Sequence, residues 1–246
     1  MSGEFRQILG IKFYVGGMPR LLDKTAEGGL IVVPSAPVLA NMPLDAAHRE
    51  ALLGSDFAIT DSSYMILLWL ILRRENLPRI SGVRYLRGLL DQPGFRKAGA
   101  TFWIMPSADD RRANREWLDR QGTVVDAEAC VVAPIYPAGR LEDPTLVAQI
   151  EARHPAYVII NVGGGVQERL GYFLRTHLSY RPAILCTGAA IAFLSGRQIA
   201  IPVWADRLRL GWLFRSLASP KTFPPRLWKS LRLAKLLWKY GENAPG

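Results

Sequence analysis

The chain of 246 residues holds two cysteines and three histidines, and none of its apolar runs is long. Cys130 and Cys186 stand in apolar stretches without CxxC spacing or a ligand cluster nearby, which argues against a disulfide framework or a cysteine metal site. A reducing cytoplasm fits. His48, His154 and His177 fall in helical stretches or at their ends without ligand spacing, so they read as packing or surface residues. The most hydrophobic run, Tyr64 to Leu72, spans nine residues. A bilayer crossing takes roughly 20, so the run is expected to be a buried helix. The first residues, MSGEFRQILGIKF, carry an early acidic side chain and no long apolar core, so no signal peptide is expected. Familiar catalytic signatures are missing too: GxSxG, HExxH, a Walker loop, and the DxD of metal-bound diphosphate sites.

Apolar residues make up 49% and charged residues 21%, a globular balance. A chain of this size can bury a core as one large domain or as two small lobes, here meeting near 80–100. Charge is unevenly placed. From Arg207 to Tyr240 there are nine basic residues and no acidic one, so nine of the ten net positive charges sit in that tail. The body, 1–200, is close to neutral, and 201–246 is a cationic segment.

Short apolar runs alternate with helical patterns. GLIVVPSA (Gly29 to Ala36), SDFAITD (Ser55 to Asp61), ATFWIMPS (Ala100 to Ser107), Ala129 to Ala133, AYVIINV and AILCTG read as buried strands. Between them, PLDAAHREALLGS reads as a helix with Leu44, Ala47, Ala51 and Leu52 on one face. ADDRRANREWLDRQG, DPTLVAQIEARH and Gln167 to about Leu178 are further helices, with Asp109 and Asp110 as capping carboxylates of the first. This order implies βαβ units: an α/β, mainly parallel Rossmann-like sheet with helices on both faces. Only the final GENAPG looks like a loose end.

Ligands of such sheets gather beyond the carboxyl ends of the strands. Three ends are chemically marked. In YVIINVGGGVQERLG, Gly163, Gly164 and Gly165 put bare amides before a helix, an anion site or a plain structural turn. A dinucleotide fingerprint would need a third glycine where Glu168 stands, which disfavours a nicotinamide enzyme. In AITDSSYM, Asp61 is either a general base or a helix cap, and the local Asp–Ser–Ser favours the cap. In VVPSAP, Ser35 is a loop hydroxyl or a site hydroxyl.

Beyond Pro225, leucines and tryptophans recur at helical intervals, with Arg226, Trp228, Lys229, Arg232, Lys235 and Trp238 among them. This is the composition of a helix lying on an anionic membrane surface. A helical hairpin packed on the body is the alternative. Nucleic acid is disfavoured, because the aromatics accompany leucines instead of forming a stacking platform.

Taken in order, ILGIKFYVGG, LIVVPSAPVLA, SDFAITDSSYMI, RISGVRYLRGLL, INVGGGVQERL and the block from CTGAAIAFLSG to PPRLW give the chain a resemblance to a known family. They resemble the bacterial WecG/TagA/CpsF glycosyltransferases over roughly Ile8 to Tyr240. The resemblance implies transfer of a sugar from a nucleotide-sugar donor, usually a UDP-sugar, to a polyprenyl-diphosphate-linked saccharide, with inversion, in cell-surface polysaccharide assembly. It implies Asp61 as catalytic base, with Gln167 and Glu168 at the donor site beside Ser35, the glycine turn and Gly188. Arg215 matches the arginine that closes over the site at the membrane. A cytoplasmic protein, peripheral on the inner face of the membrane, follows, and a homo-oligomer is compatible. With no DxD, no cofactor and no absolute metal requirement are expected. Ser35, Ser62, Gly165, Ala200 and Gly211 depart from the family pattern, mostly around the sugar pocket, so the donor sugar stays open. A non-catalytic membrane-bound assembly subunit and a different nucleotide-binding α/β enzyme are the rival readings.

Overall fold

The structure, a computed structural model, describes residues 3–198 and 223–246, without the side chains of 223–230. It opens with a hairpin of β1 (Phe5–Ile8) and β2 (Ile11–Tyr14). There follow α1 (Met18–Ala26), β3 (Gly29–Val32), α2 (Ala36–Ala40), α3 (Ala46–Leu53), β4 (Phe57–Ile59) and α4 (Ser63–Arg73). Next come α5 (Gly82–Leu90), α6 (Pro93–Arg96), β5 (Thr101–Met105), α7 (Ala108–Arg120) and β6 (Cys130–Val132). The last are α8 (Pro144–Arg153), β7 (Tyr157–Ile160), α9 (Val166–His177), β8 (Ala183–Cys186), α10 (Ala190–Leu194) and α11 (Phe223–Tyr240).

The described strands form one eight-stranded sheet in the order β1-β2-β4-β3-β8-β7-β5-β6. Every neighbouring pair is parallel except β1 and β2. The six expected strands are β3 to β8, and the α/β class read from the sequence is the observed one. In β3, β5, β7 and β8 every residue is buried, as strands covered on both faces must be. Parallel crossovers are right-handed, so leftward and rightward connections place their helices on opposite faces. Contacts agree: α3 packs with α9, whereas α5 packs with α1 and α10, and α10 with α7.

Three local expectations change. Leu44 precedes α3 and is 66% exposed, because Asp45 caps the helix by accepting the His48 N–H and so starts it later. α4 buries Met65, Ile66 and Trp69, yet its Leu67 and Ile71 face outward at 41% and 65% exposure. The C-terminal residues are not loose: Leu9 and Gly10 N–H, at the hairpin turn, donate to the Gly241 and Glu242 carbonyls at 2.8 Å each. Main-chain bonds of this kind leave no side-chain pattern to read.

The basic amphipathic C-terminal helix is present, and it is docked. α11 lies against α2 and α4, with Leu233 and Leu237 fully buried. Both cysteines are buried and free. His48 packs inside, its Nε2 3.0 Å from the Val38 carbonyl, and His154 stacks on Tyr180 at 3.7 Å between centroids. Ser107 caps α7, and Asp109 and Asp110 lie in its first turn.

At the amino edge of the sheet, Asp56 ties three segments together. It accepts from Leu30 N–H at 2.7 Å, Arg175 at 3.1 Å and Arg181 at 2.7 Å. Burial pushes its pKa up, but the Arg175 hydrogen bond, the Leu30 N–H and the two guanidinium charges outweigh that and leave it lowered. A carboxyl lowered on folding contributes stability above the ordinary aspartate range and loses it as pH falls through the folded value. Asp56→Asn is expected to cost about 1–2 kcal/mol in urea unfolding at neutral pH. The gap from wild type should close below about pH 4.

Candidate active site

Four neighbouring parallel strands, β4, β3, β8 and β7, bring their carboxyl ends side by side. Each runs into residues marked by the sequence: Asp61 after β4, Ser35 after β3, Gly188 after β8, and Gly163 to Gly165 after β7. At about 4.8 Å per strand, the outer two ends are roughly 14 Å apart. The chain leaves β3 and β8 toward opposite faces, the arrangement at which open sheets leave a crevice.

Asp61 does not cap its own helix. Ser62 does, its hydroxyl accepting the Met65 N–H at 3.3 Å. The half-buried Asp61 carboxylate instead crosses to α5, where Oδ1 accepts the first N–H of that helix, from Gly82, at 3.1 Å. Its own carbonyl accepts from Arg79 Nε at 3.0 Å. Nothing in the local Asp–Ser–Ser pattern signals a partner 21 residues downstream.

Contacts run from Asp61 toward the glycine turn through the β3–α2 connection. A Cβ on Gly82 would lie 3.2 Å from Val33, and one on Gly164 would meet Val38 at 2.5 Å. Ser35 stands between Val33 and Val38, exposed, and its hydroxyl makes no cap bond at the start of α2. Asp61 and the glycine turn therefore lie on one edge, with the segment from Val33 to Val38 close to Gly82 at one end and to Gly164 at the other.

The turn is less bare than its sequence. Gly165 begins α9 with φ +92°, a left-handed backbone for which glycine is suited. The fully buried Glu168 folds back, one oxygen accepting the Gly165 N–H at 2.5 Å and the other the Gln167 Nε2–H at 2.9 Å. Val166 and Gln167 N–H both go to the Gly163 carbonyl. The positive end of α9 thus already holds a carboxylate. Among the described residues, only the Gly163 and Gly164 amides of the three glycines lack a hydrogen-bond partner.

Gln167 is buried and its amide is oriented by Glu168, which leaves Oε1 without a partner among the described residues. A Cβ on Gly188, whose φ is +55°, would come 3.3 Å from that oxygen. An acceptor so placed is complemented by an N–H or O–H of a ligand, not by a phosphate oxygen. The main-chain carbonyl of Gln167 accepts from Cys186 Sγ at 3.2 Å. Burial pushes that thiol well up, with Glu168 adding to it, so Cys186 stays protonated and holds the first turn of α9 to the sheet.

Proline is excluded at position 165 by this backbone: it fixes φ near −65° and has no N–H for Glu168. Gly165→Pro is expected to lower stability by about 3 kcal/mol in urea unfolding.

Arg215 lies outside the described residues, as do the side chains of Arg226, Trp228 and Lys229. Arg232, Lys235 and Trp238 are exposed on α11, away from the buried Leu233 and Leu237. Sequence reasoning overlooked Gly82 and Arg79, which hold Asp61, and Arg169, a buried cation two residues beyond Gln167. The signal for Arg169 was a charge directly before the apolar run Leu170 to Leu174.

Two open grooves of about 510 Å³ lie elsewhere, along α7 and β6. Their Arg111 and Arg115 bind the main-chain carbonyls of Ala127 and Val125, which assigns these side chains to holding the loop before β6.

A sequence model described as "Glycosyl transferase WecG/TagA/CpsF family" matches residues 6–244. No curated protein matches the chain significantly.

Proposed function

The chain belongs to the WecG/TagA/CpsF glycosyltransferase family, and from that premise we propose that it moves a sugar from a UDP-sugar donor to a polyprenyl-diphosphate-linked saccharide. The observation that carries this reading is the shared strand-end edge. A carboxylate held by Gly82 sits on it within reach of the β3–α2 turn, and beyond that turn lie the Gly163 and Gly164 amides with the unpartnered Gln167 oxygen. An acceptor hydroxyl needs a base, a diphosphate needs N–H donors, and a nucleotide or sugar offers the N–H or O–H that Gln167 lacks.

In this mechanism the acceptor oxygen attacks the anomeric carbon as Asp61 takes its proton. The bond from that carbon to the donor's diphosphate oxygen breaks, and the electron pair leaves with the nucleoside diphosphate. The sugar is delivered with inversion by this single displacement. Gly163 and Gly164 amides, with Arg215, meet the charge that grows on the leaving group. No metal is required, so EDTA leaves the rate unchanged.

The acceptor is lipid-linked, and the protein works at the inner face of the cell membrane. No helix among the described residues is long and apolar enough to cross a bilayer. α11 turns Leu231, Lys235 and Trp238 outward along one stripe, beside an α4 that also exposes Leu67 and Ile71. Apolar tips among cations are what an anionic interface accepts.

The test is to incubate purified protein with a panel of nucleotide sugars and a short-chain lipid-diphosphate saccharide, reading products by mass. One sugar added to the lipid-linked saccharide supports the proposal. A non-catalytic assembly subunit would bind membranes and give no product, and a different nucleotide-binding enzyme would ignore every UDP-sugar.

A further inference from the structure

Arg169 is 92% hidden from solvent by the residues around it, since only 8% of it is exposed. From α9 its Nε returns to the Gly165 carbonyl at 3.1 Å, and Nη1 reaches the Pro137 carbonyl at 3.0 Å and also the Gly139 carbonyl. Among the described residues it has no carboxylate partner. Three carbonyls take its Nε and Nη1 hydrogens, but they do not neutralise its charge, and a largely buried cation without a carboxylate partner is costly to keep.

The adjacent carboxylate gives that cost a purpose. Glu168 holds the N–H of Gly165, and Arg169 holds the carbonyl of the same residue. One glycine is therefore gripped at both main-chain groups by side chains of opposite charge. Without Arg169, the turn would present a buried negative charge at the place where the functional reading puts a diphosphate. The same guanidinium also ties the 136–141 loop, which continues from β6 on the carboxyl edge, to the glycine turn.

We propose that Arg169 is a positioning residue of the donor site. It offsets the Glu168 carboxylate so that the glycine turn accepts a nucleoside diphosphate, and it fixes the neighbouring loop against that turn. The inference rests on the UDP-sugar reading above. It differs from a purely structural role in one respect: the damage done by removing Arg169 depends on the charge of Glu168.

The experiment measures UDP binding by calorimetry for the full chain, for Arg169→Lys, Arg169→Gln and Glu168→Gln, and for the Glu168→Gln/Arg169→Gln pair, with thermal midpoints recorded for each. Arg169→Lys keeps the charge but not the three-carbonyl fork, so it retains the fold and carries the test if Arg169→Gln does not fold. The expected result is UDP affinity lowered about tenfold in Arg169→Gln and about threefold in Arg169→Lys. Donor KM should rise in step while kcat at saturating donor changes little. Against Glu168→Gln, adding Arg169→Gln should cost less than twofold, because no buried anion is left to offset.

UDP affinity unchanged in both Arg169 variants overturns the proposal. So does a loss of the same size with and without the Glu168 carboxylate, since that marks a structural role alone. If the unaltered protein binds no UDP while remaining folded, the functional reading fails first and takes this inference with it.

Discussion

Asp61→Asn is expected to reduce sugar transfer by about 10²- to 10⁴-fold, the range a positioned general base contributes. Asparagine keeps the shape and keeps an oxygen for the Gly82 N–H, so the start of α5 stays capped and the fold should hold. What it loses is the capacity to take a proton. The alanine variant is a poorer probe, because it also strips the first N–H of α5 of its partner, at a cost of about 1 kcal/mol. UDP binding should be equal in wild type and Asp61→Asn, since the carboxylate follows β4 and the glycine turn follows β7, with β3 and β8 between them. Undiminished transfer by Asp61→Asn would remove Asp61 from the chemistry and favour an assembly subunit or a different base.

Much of the fold could be read from residue patterns because the central strands advertise themselves. LIVV, FWIM, YVII and AILC are continuous apolar runs with turn residues at their ends, and parallel strands covered on both faces require just that. The β1–β2 hairpin gives no such signal. Its eight strand residues include Arg6, Gln7 and Lys12, and its turn puts Leu9 at φ +52°. Besides the pairing of β2 with β4, what holds it is a pair of main-chain bonds to residues 241 and 242 at the other end of the chain.

The candidate site was legible in its residue types and misread in its wiring. Asp61, Gln167 and Glu168 were picked from strand ends and from the family resemblance, and all stand at the carboxyl edge. Yet Asp61 caps a distant helix, and Glu168 turns inward to its own glycine turn. Local sequence says which side chains can hydrogen-bond. It does not say which of two donors, three or twenty residues away, is nearer once the sheet has formed.

The C-terminal helix leads to the other large expected effect. Deleting it would be an ambiguous experiment: Leu233 and Leu237 are fully buried against the body, so truncation would expose the surface of α2 and α4 and invite aggregation whatever the membrane does. The informative change leaves that inner face intact. Arg232, Lys235 and Lys239 are exposed, and Trp238 is 74% exposed. Near anionic lipid each cation contributes about 1 kcal/mol, so neutralising three should weaken binding about 100-fold. The Arg232→Glu/Lys235→Glu/Lys239→Glu protein should therefore lose sedimentation with phosphatidylserine or phosphatidylglycerol vesicles while its thermal midpoint stays near wild type. Trp238→Ala should weaken binding to the same vesicles with the charge unchanged, because the aromatic contributes by partitioning. Raising salt should release the wild type and do little to the variant, whose attraction is already gone. Transfer to a water-soluble short-chain acceptor should survive the charge reversal, whereas transfer to a long-chain acceptor in vesicles should fall with binding. Equal vesicle binding by wild type and the charge-reversed protein would assign the outer stripe of α11 to something other than lipid.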